Sequence, residues 1–102
     1  MDQIKVNSAK GIATITLGGK FDFSSHKEFK TAYSPLLQDA ETRTILIDLA
    51  NVTYVDSSAL GVLMLLNEHV AEVGKSISLI RPNQKVRQIL DIANMGKLFK
   101  ID

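Results

Sequence analysis

The chain has 102 residues, enough for about one small domain built on one hydrophobic core. Hydrophobic residues make up 45% and charged residues 23%, ordinary globular values that exclude disorder, collagen and coiled coil. Twelve Lys+Arg against eleven Asp+Glu leave a net charge of +1, and there is no cysteine. A basic footprint for nucleic acid or an anionic membrane is therefore missing, and disulfides, thiolate metal sites and a Cys nucleophile are excluded.

The first residues, Met1-Asp2-Gln3-Ile4-Lys5-Val6, carry an acid and no apolar stretch of the secretory kind. The longest apolar run, Ala59 to Leu66, falls far short of the roughly 18 residues that a spanning helix needs. A cytoplasmic protein without membrane insertion is expected. With no Pro-, Gly- or Ser-rich linker and no repeat, residues 1–102 read as one domain.

Ile4 to Val6 and Ile12 to Leu17 read as two strands of a hairpin around the polar turn Asn7 to Gly11, with Gly18-Gly19 breaking the second. Ser25-x-x-Glu28 fits a capping box, and Phe29, Ala32, Tyr33, Leu36 and Ala40 follow at helical spacing. Pro35 predicts a kink, or a restart with Ser34 as the new cap. Thr44 to Leu49, apolar and β-branched, reads as a central strand covered on both faces, followed by a turn over Ala50 to Val55.

Asp56 then caps a helix that carries Leu60, Leu63, Met64, Ala71 and Val73 and ends at Gly74. Ile77 and Leu79 alternate with serines as a fourth strand. Asn83 caps a third helix with Val86, Ile89, Leu90 and Ala93 inward and Gly96 past its end, and Leu98 to Ile101 adds a short closing strand. Alternating strands and helices predict an α/β fold. It has a mixed β-sheet, an N-terminal hairpin plus parallel β-α-β crossovers, covered by amphipathic helices.

Enzyme signatures are missing. There is no phosphate-binding G-x-x-x-x-G-K-[ST], no G-x-G-x-x-G and no G-x-S-x-G elbow. His69 lies twelve residues beyond Ser57 on the same helix, about 18 Å at 1.5 Å per residue, too far to act as its base. His26 reads as a solvated residue at a helix start. Asp48 and Asp56 read as a strand-end residue and a cap rather than an acid/base pair. No cofactor, metal or catalytic residue is expected.

Asp56-Ser57-Ser58 is the segment with chemical potential. A hydroxyl in a helix's first turn, just past a central strand, is exposed beside free N–H groups and a positive dipole end. A phosphate there is tolerated by the fold, yet adds about −1.5 to −2 charges next to Asp56. That combination describes a regulated docking surface, with the phosphate supplied by another protein's active site.

The stretch Asn51-Val52-Thr53-Tyr54-Val55-Asp56-Ser57-Ser58-Ala59-Leu60-Gly61-Val62 resembles the signature of STAS domains, specifically bacterial anti-sigma factor antagonists. Gly19-Lys20-Phe21-Asp22, the strand Ile45 to Leu49 and the closing helix ending near Gly96 extend the resemblance over essentially the whole chain. It implies an unphosphorylated form that binds an anti-sigma factor with serine kinase activity and so frees a sigma factor. The kinase's ATP then phosphorylates the antagonist and ends the complex, and a serine phosphatase reverses the step.

By position the resemblance makes Ser57 the phosphoacceptor and assigns partner binding to Asp22, Asp56, Ser57, Ser58, Leu60 and Gly61. Ala59 stands where the family usually has glycine, and Lys20 where an acid is common. Other relatives resemble constitutive assembly subunits, for example of lipid-transport complexes, where the same helix start packs permanently on a partner. That is the alternative to the phosphoswitch.

Overall fold

The structure, a computed structural model, describes residues 3–102. Strands β1 (Gln3–Ala9) and β2 (Ile12–Phe21) form the predicted antiparallel hairpin, with Ala9 paired to Ile12. Lys10 and Gly11 make a two-residue turn with φ of 54° and 82°. Positive φ at both central residues is the type I′ geometry, whose twist matches that of the flanking strands.

Gly18-Gly19 does not end β2. The strand continues to Phe21, and its register against β3 (Thr44–Val55) shifts between Thr16 and Gly18 and again between Gly19 and Lys20. Gly19, at φ 76°, supplies the conformation that such an irregularity needs. The expected turn over Ala50 to Val55 is likewise strand, because β3 runs on beside the extended β2. β4 (Ser76–Ile80) and β5 (Lys100–Ile101) add parallel pairs, giving the order β1-β2-β3-β4-β5 in a mixed sheet.

Helix α1 (His26–Gln38) starts where the Ser25-x-x-Glu28 spacing places it, with Ser25 as the N-cap residue, but Ser25 makes no side-chain cap bond. The box sits at Asp22 and Ser25 instead, around a 3-10 turn over Phe23–Ser25. Pro35 lies inside α1 without a restart, and Ser34 is not a cap, since its hydroxyl donates to Lys30 O at 2.7 Å. Thr31 and Pro35 are both exposed, so water can take the carbonyl bond that the missing N–H leaves open. Ala40 falls beyond the helix.

Helix α2 (Ser57–Glu72) buries Ala59, Val62, Leu63, Leu66 and Val70, while Met64 and Val73 stay exposed. Gly74, at φ 72°, closes it. Its N–H donates to Ala71 O at 3.1 Å and that of Lys75 to Val70 O at 2.9 Å, the paired bonds of a Schellman end. Helix α3 (Gln84–Ile92) starts as expected, with Asn83 accepting from the Val86 N–H at 2.9 Å. Its end differs. Asn94, not Gly96, takes the left-handed conformation at φ 57°, and Ala93 is exposed at the cap.

One buried cluster joins the elements. Ile15, Leu17, Ile45, Ile47, Leu49, Leu63, Leu66, Leu79 and Leu90 are all fully buried within it. Phe21, Phe29 and Tyr33 stack edge to face at 5.1 and 5.2 Å between centroids, locking α1 onto the far end of β2. β3 is central but not equally covered on both faces. Ile45, Ile47 and Leu49 are fully buried, whereas the alternate residues Thr44 and Leu46 remain partly exposed and Asp48 is a buried acid.

Candidate functional site

The carboxyl ends of β2 and β3 meet where Phe21 pairs with Val55, and the Asp56 N–H donates to Phe21 O at 3.3 Å. Asp56 is extended (φ −99°, ψ 176°) and its carboxylate serves two elements. Oδ1 accepts the Ala59 N–H at 2.8 Å, which caps α2, and Oδ2 accepts the Phe23 N–H at 3.1 Å. Each bond satisfies a backbone donor that a helical start leaves without a partner. The first turn of α2 and the loop after β2 are thereby one structural unit.

Asp22 organises that loop from its own side. Its Oδ1 accepts from the Ser24 hydroxyl at 2.6 Å and the Ser24 N–H at 3.0 Å, and its N–H donates to Ser25 Oγ at 3.2 Å. Ser25 is fully buried and donates its hydroxyl to Lys20 O at 3.1 Å. The Ser24 hydroxyl, helped by the surrounding donors, holds the Asp22 carboxyl below its ordinary value despite some desolvation. Asp22 is therefore anionic at neutral pH.

Ser57 and Ser58 occupy the first turn of α2 and are exposed, whereas Ala59 is buried. Ala59 gives its N–H to the Asp56 carboxylate while its methyl group is buried. The Ser57 hydroxyl thus stands in solvent beside a rigid cap. His69 lies further along α2 with Nδ1 3.8 Å from Glu72, and His26 is exposed at the start of α1. Among the described residues no group of three or more His, Asp or Glu is placed to hold a metal ion. No helix among them is long and apolar enough to cross a membrane.

Comparison with known proteins matches residues 4–100 to the family described as "Mlab, STAS domain". The chain belongs to the STAS domain family. It is 44% identical over 88 residues to a STAS-domain containing protein of Pseudomonas aeruginosa, covering 86% of this chain and 85% of that one. It is 23% identical over 99 residues to the anti-sigma F factor antagonist of Paenibacillus polymyxa, covering 97% and 85%.

The fold matches the anti-sigma factor antagonist SpoIIAA in its unphosphorylated form at a TM-score of 0.82, with 17% identity over 98% of this chain and 88% of that one. The phosphorylated Bacillus SpoIIAA matches at 0.75, with 16% identity over 98% and 91%. The expected fold is therefore the observed one, and anti-sigma factor antagonists are among the chain's relatives.

In this STAS domain the structure brings Asp22, Asp56, Ser57 and Ser58 to one end of the sheet. Leu60 departs from a purely docking role: it is half-buried and packs against the core, while its N–H donates to Asp56 O at 3.2 Å. Gly61 is exposed, and a Cβ there would meet nothing within 4 Å, so its surface is open. Asp48 is not at a strand end, because β3 continues seven residues beyond it.

Three apolar side chains of the loop and α2 are exposed, and of these the helical spacing had placed Met64 on α2. Phe23, whose N–H binds Asp56, is 75% exposed, and Met64 and Leu65 are 45% and 40% exposed on α2. Met64 and Leu65 lie seven and eight positions after Ser57, on its helix face. That phase was readable from the helix. Phe23 carries no comparable signal, because its exposure follows from the 3-10 turn.

Proposed function

We propose that this STAS domain is an anti-sigma factor antagonist whose unphosphorylated form binds an anti-sigma factor with serine kinase activity, releasing the sigma factor. Phosphorylation of Ser57 by the kinase's ATP ends the complex, and a serine phosphatase restores it. The observation that carries this reading is the exposed Ser57 hydroxyl beside the doubly bonded Asp56 carboxylate. The cap gives a kinase a rigid surface to engage, and a phosphate there meets the nearby acids Asp22 and Asp56 without disturbing the core. Asp22, Asp56, Ser57, Ser58 and Gly61, with Phe23 alongside, form the contact surface, and Leu60 supports it from beneath.

A constitutive assembly subunit is the second reading. It is favoured by the exposed Phe23, Met64 and Leu65, which a permanent partner would keep from water. Isolation of the chain from its source cell, followed by phosphopeptide mapping and affinity capture with wild type and Ser57→Ala, separates the two. The phosphoswitch requires phosphate on Ser57 and stronger retention of an ATP-dependent serine kinase by Ser57→Ala. A chain that carries no phosphate under any growth condition and holds one partner equally in both forms overturns it.

A further inference from the structure

β1 is an edge of the sheet, paired with β2 on one side and with no strand on the other among the described residues. The two-residue turn at Lys10-Gly11 sets the phase of the hairpin. Ala9 and Ile12 exchange both hydrogen bonds, and in alternation so do Asn7 with Thr14 and Lys5 with Thr16. The N–H and C=O groups of Ile4, Val6 and Ser8 therefore point away from β2, in one unpaired row. Natural edge strands are usually blunted by proline, bulges or several charges. β1 has no proline, an unbroken register and a single charge, Lys5. The opposite edge, β5, is only two residues long.

We infer that β1 pairs two copies of this chain, edge to edge and antiparallel, about a two-fold axis at Val6. A two-fold contact must be complementary to itself, and this strand is. With the axis at Val6, the two Val6 residues exchange N–H···O bonds and each Ile4 does so with the other copy's Ser8. Lys5 faces Asn7 rather than a second Lys5.

The side chains at the axis are apolar. Val6 is 43% exposed, and with Ile4 and Ala32 it lines an open groove of about 350 Å³ between β1 and α1. Lys27 and Glu28 line the same groove, one charge of each sign, so the face brought to the axis carries no net charge from them. β1 meets β2 no further than Gly18, three positions before Phe21, so both Asp56–Ser57 ends stay open in the pair. The inference is independent of the phosphoswitch.

Sedimentation equilibrium on the full chain, with hydrogen exchange over a concentration series, tests it. The wild type is expected to reach twice 11.2 kDa as concentration rises, with protection growing at the amides of Ile4, Val6 and Ser8 but not at Lys5 or Asn7. Val6→Pro removes an outward N–H that β2 does not use, and Val6→Lys brings two cations to the axis. Both should weaken self-association by at least about tenfold with an unchanged circular dichroism spectrum. If Val6→Pro does not fold, Val6→Lys decides alone. Ile92→Glu, at a side chain 84% exposed at the end of α3, should leave the dimer intact. A wild type that stays at 11.2 kDa throughout, or a dimer that survives Val6→Lys or is abolished by Ile92→Glu, overturns the inference.

Discussion

Asp56 accepts the backbone N–H of Phe23 at 3.1 Å across 33 residues of sequence, with the carboxylate oxygen that the α2 cap leaves free. One side chain thus fixes both the start of α2 and the loop that presents Asp22 and Phe23. The two halves of the site cannot move apart without breaking that bond. Any partner that docks on Ser57 meets a preorganised surface, which lowers the ordering cost of binding.

Asp56→Ala should cost about 1 kcal/mol for the lost α2 cap, with a further loss for the unpartnered Phe23 N–H. Asp56→Asn separates the two bonds. Its carbonyl oxygen can still accept from Ala59, but its amide nitrogen cannot accept from Phe23. Urea denaturation should rank the proteins wild type, Asn, Ala in falling stability. Equal stability of Asn and Ala would mean that the cap contributes nothing beyond the tie.

Ser57→Ala should match wild type in thermal midpoint, because the hydroxyl is exposed and makes no cap bond. Under the proposed phosphoswitch it should bind an anti-sigma factor kinase whether or not ATP is present. Ser57→Asp should bind more weakly by calorimetry, though less so than the phosphorylated chain. A hundredfold loss on phosphorylation corresponds to about 2.7 kcal/mol, within reach of a phosphate forced against nearby acids.

Phe23→Ala should leave the fold untouched, since the ring is 75% exposed and the bond to Asp56 is made by the backbone. Partner affinity should fall by about tenfold or more, as is usual for an aromatic anchor at an interface. Titration of the captured partner with wild type and Phe23→Ala reads this directly. Unchanged affinity would place the ring outside the contact.

Tyr33 is 1% exposed, and its hydroxyl is buried without a hydrogen-bond partner among the described residues. Burial alone pushes its ionisation above the ordinary value. The ring contributes to the aromatic stack, but the oxygen costs desolvation with no bond in return. Tyr33→Phe should therefore stabilise the chain by about 1 kcal/mol in urea denaturation. A loss of stability would mean that the hydroxyl has a partner in solution, such as a bound water.

The alternation of strands and helices was legible because each buries an apolar face at its own period. The Asp56 cap was legible because the carboxylate and the N3 N–H it accepts, that of Ala59, are local in sequence. What escaped reading was set by distant pairing. β3 extends to Val55 only because β2 runs beside it past Gly18-Gly19, and neither strand signals the other. The Ser25-Glu28 pair has the spacing of a capping box, yet Ser25 is drawn into the core by Lys20 O, and Asp22 takes the role. Asn94 displaces Gly96 as the end of α3 because left-handed backbone tolerates asparagine as well.

Asp48 is 2% exposed in the middle of β3, and its carboxylate pairs with the Arg81 guanidinium while Oδ1 accepts the Ala50 N–H at 3.0 Å. Burial pushes this carboxyl up, but the Arg81 hydrogen bond, the Ala50 N–H and the Arg81 charge together hold it below its ordinary value of 3.8. A carboxyl depressed by folding stabilises the native state fully above the unfolded value, and that contribution is lost as pH falls through the folded value. Stability should therefore be flat near neutrality and decline below about pH 4, with Asp22 and Asp39, also depressed, adding to the same limb. Arg81→Ala leaves burial unopposed by the guanidinium, so the decline should begin at higher pH and the urea midpoint at pH 7 should fall, modestly because the Arg81 side chain is 66% exposed to screening water. Asp48→Asn removes the titration and should shallow the acid limb relative to wild type. Urea denaturation of the three proteins from pH 3 to 7 measures this, and superimposable acid limbs for wild type and Asp48→Asn would mean that the pair does not control acid stability.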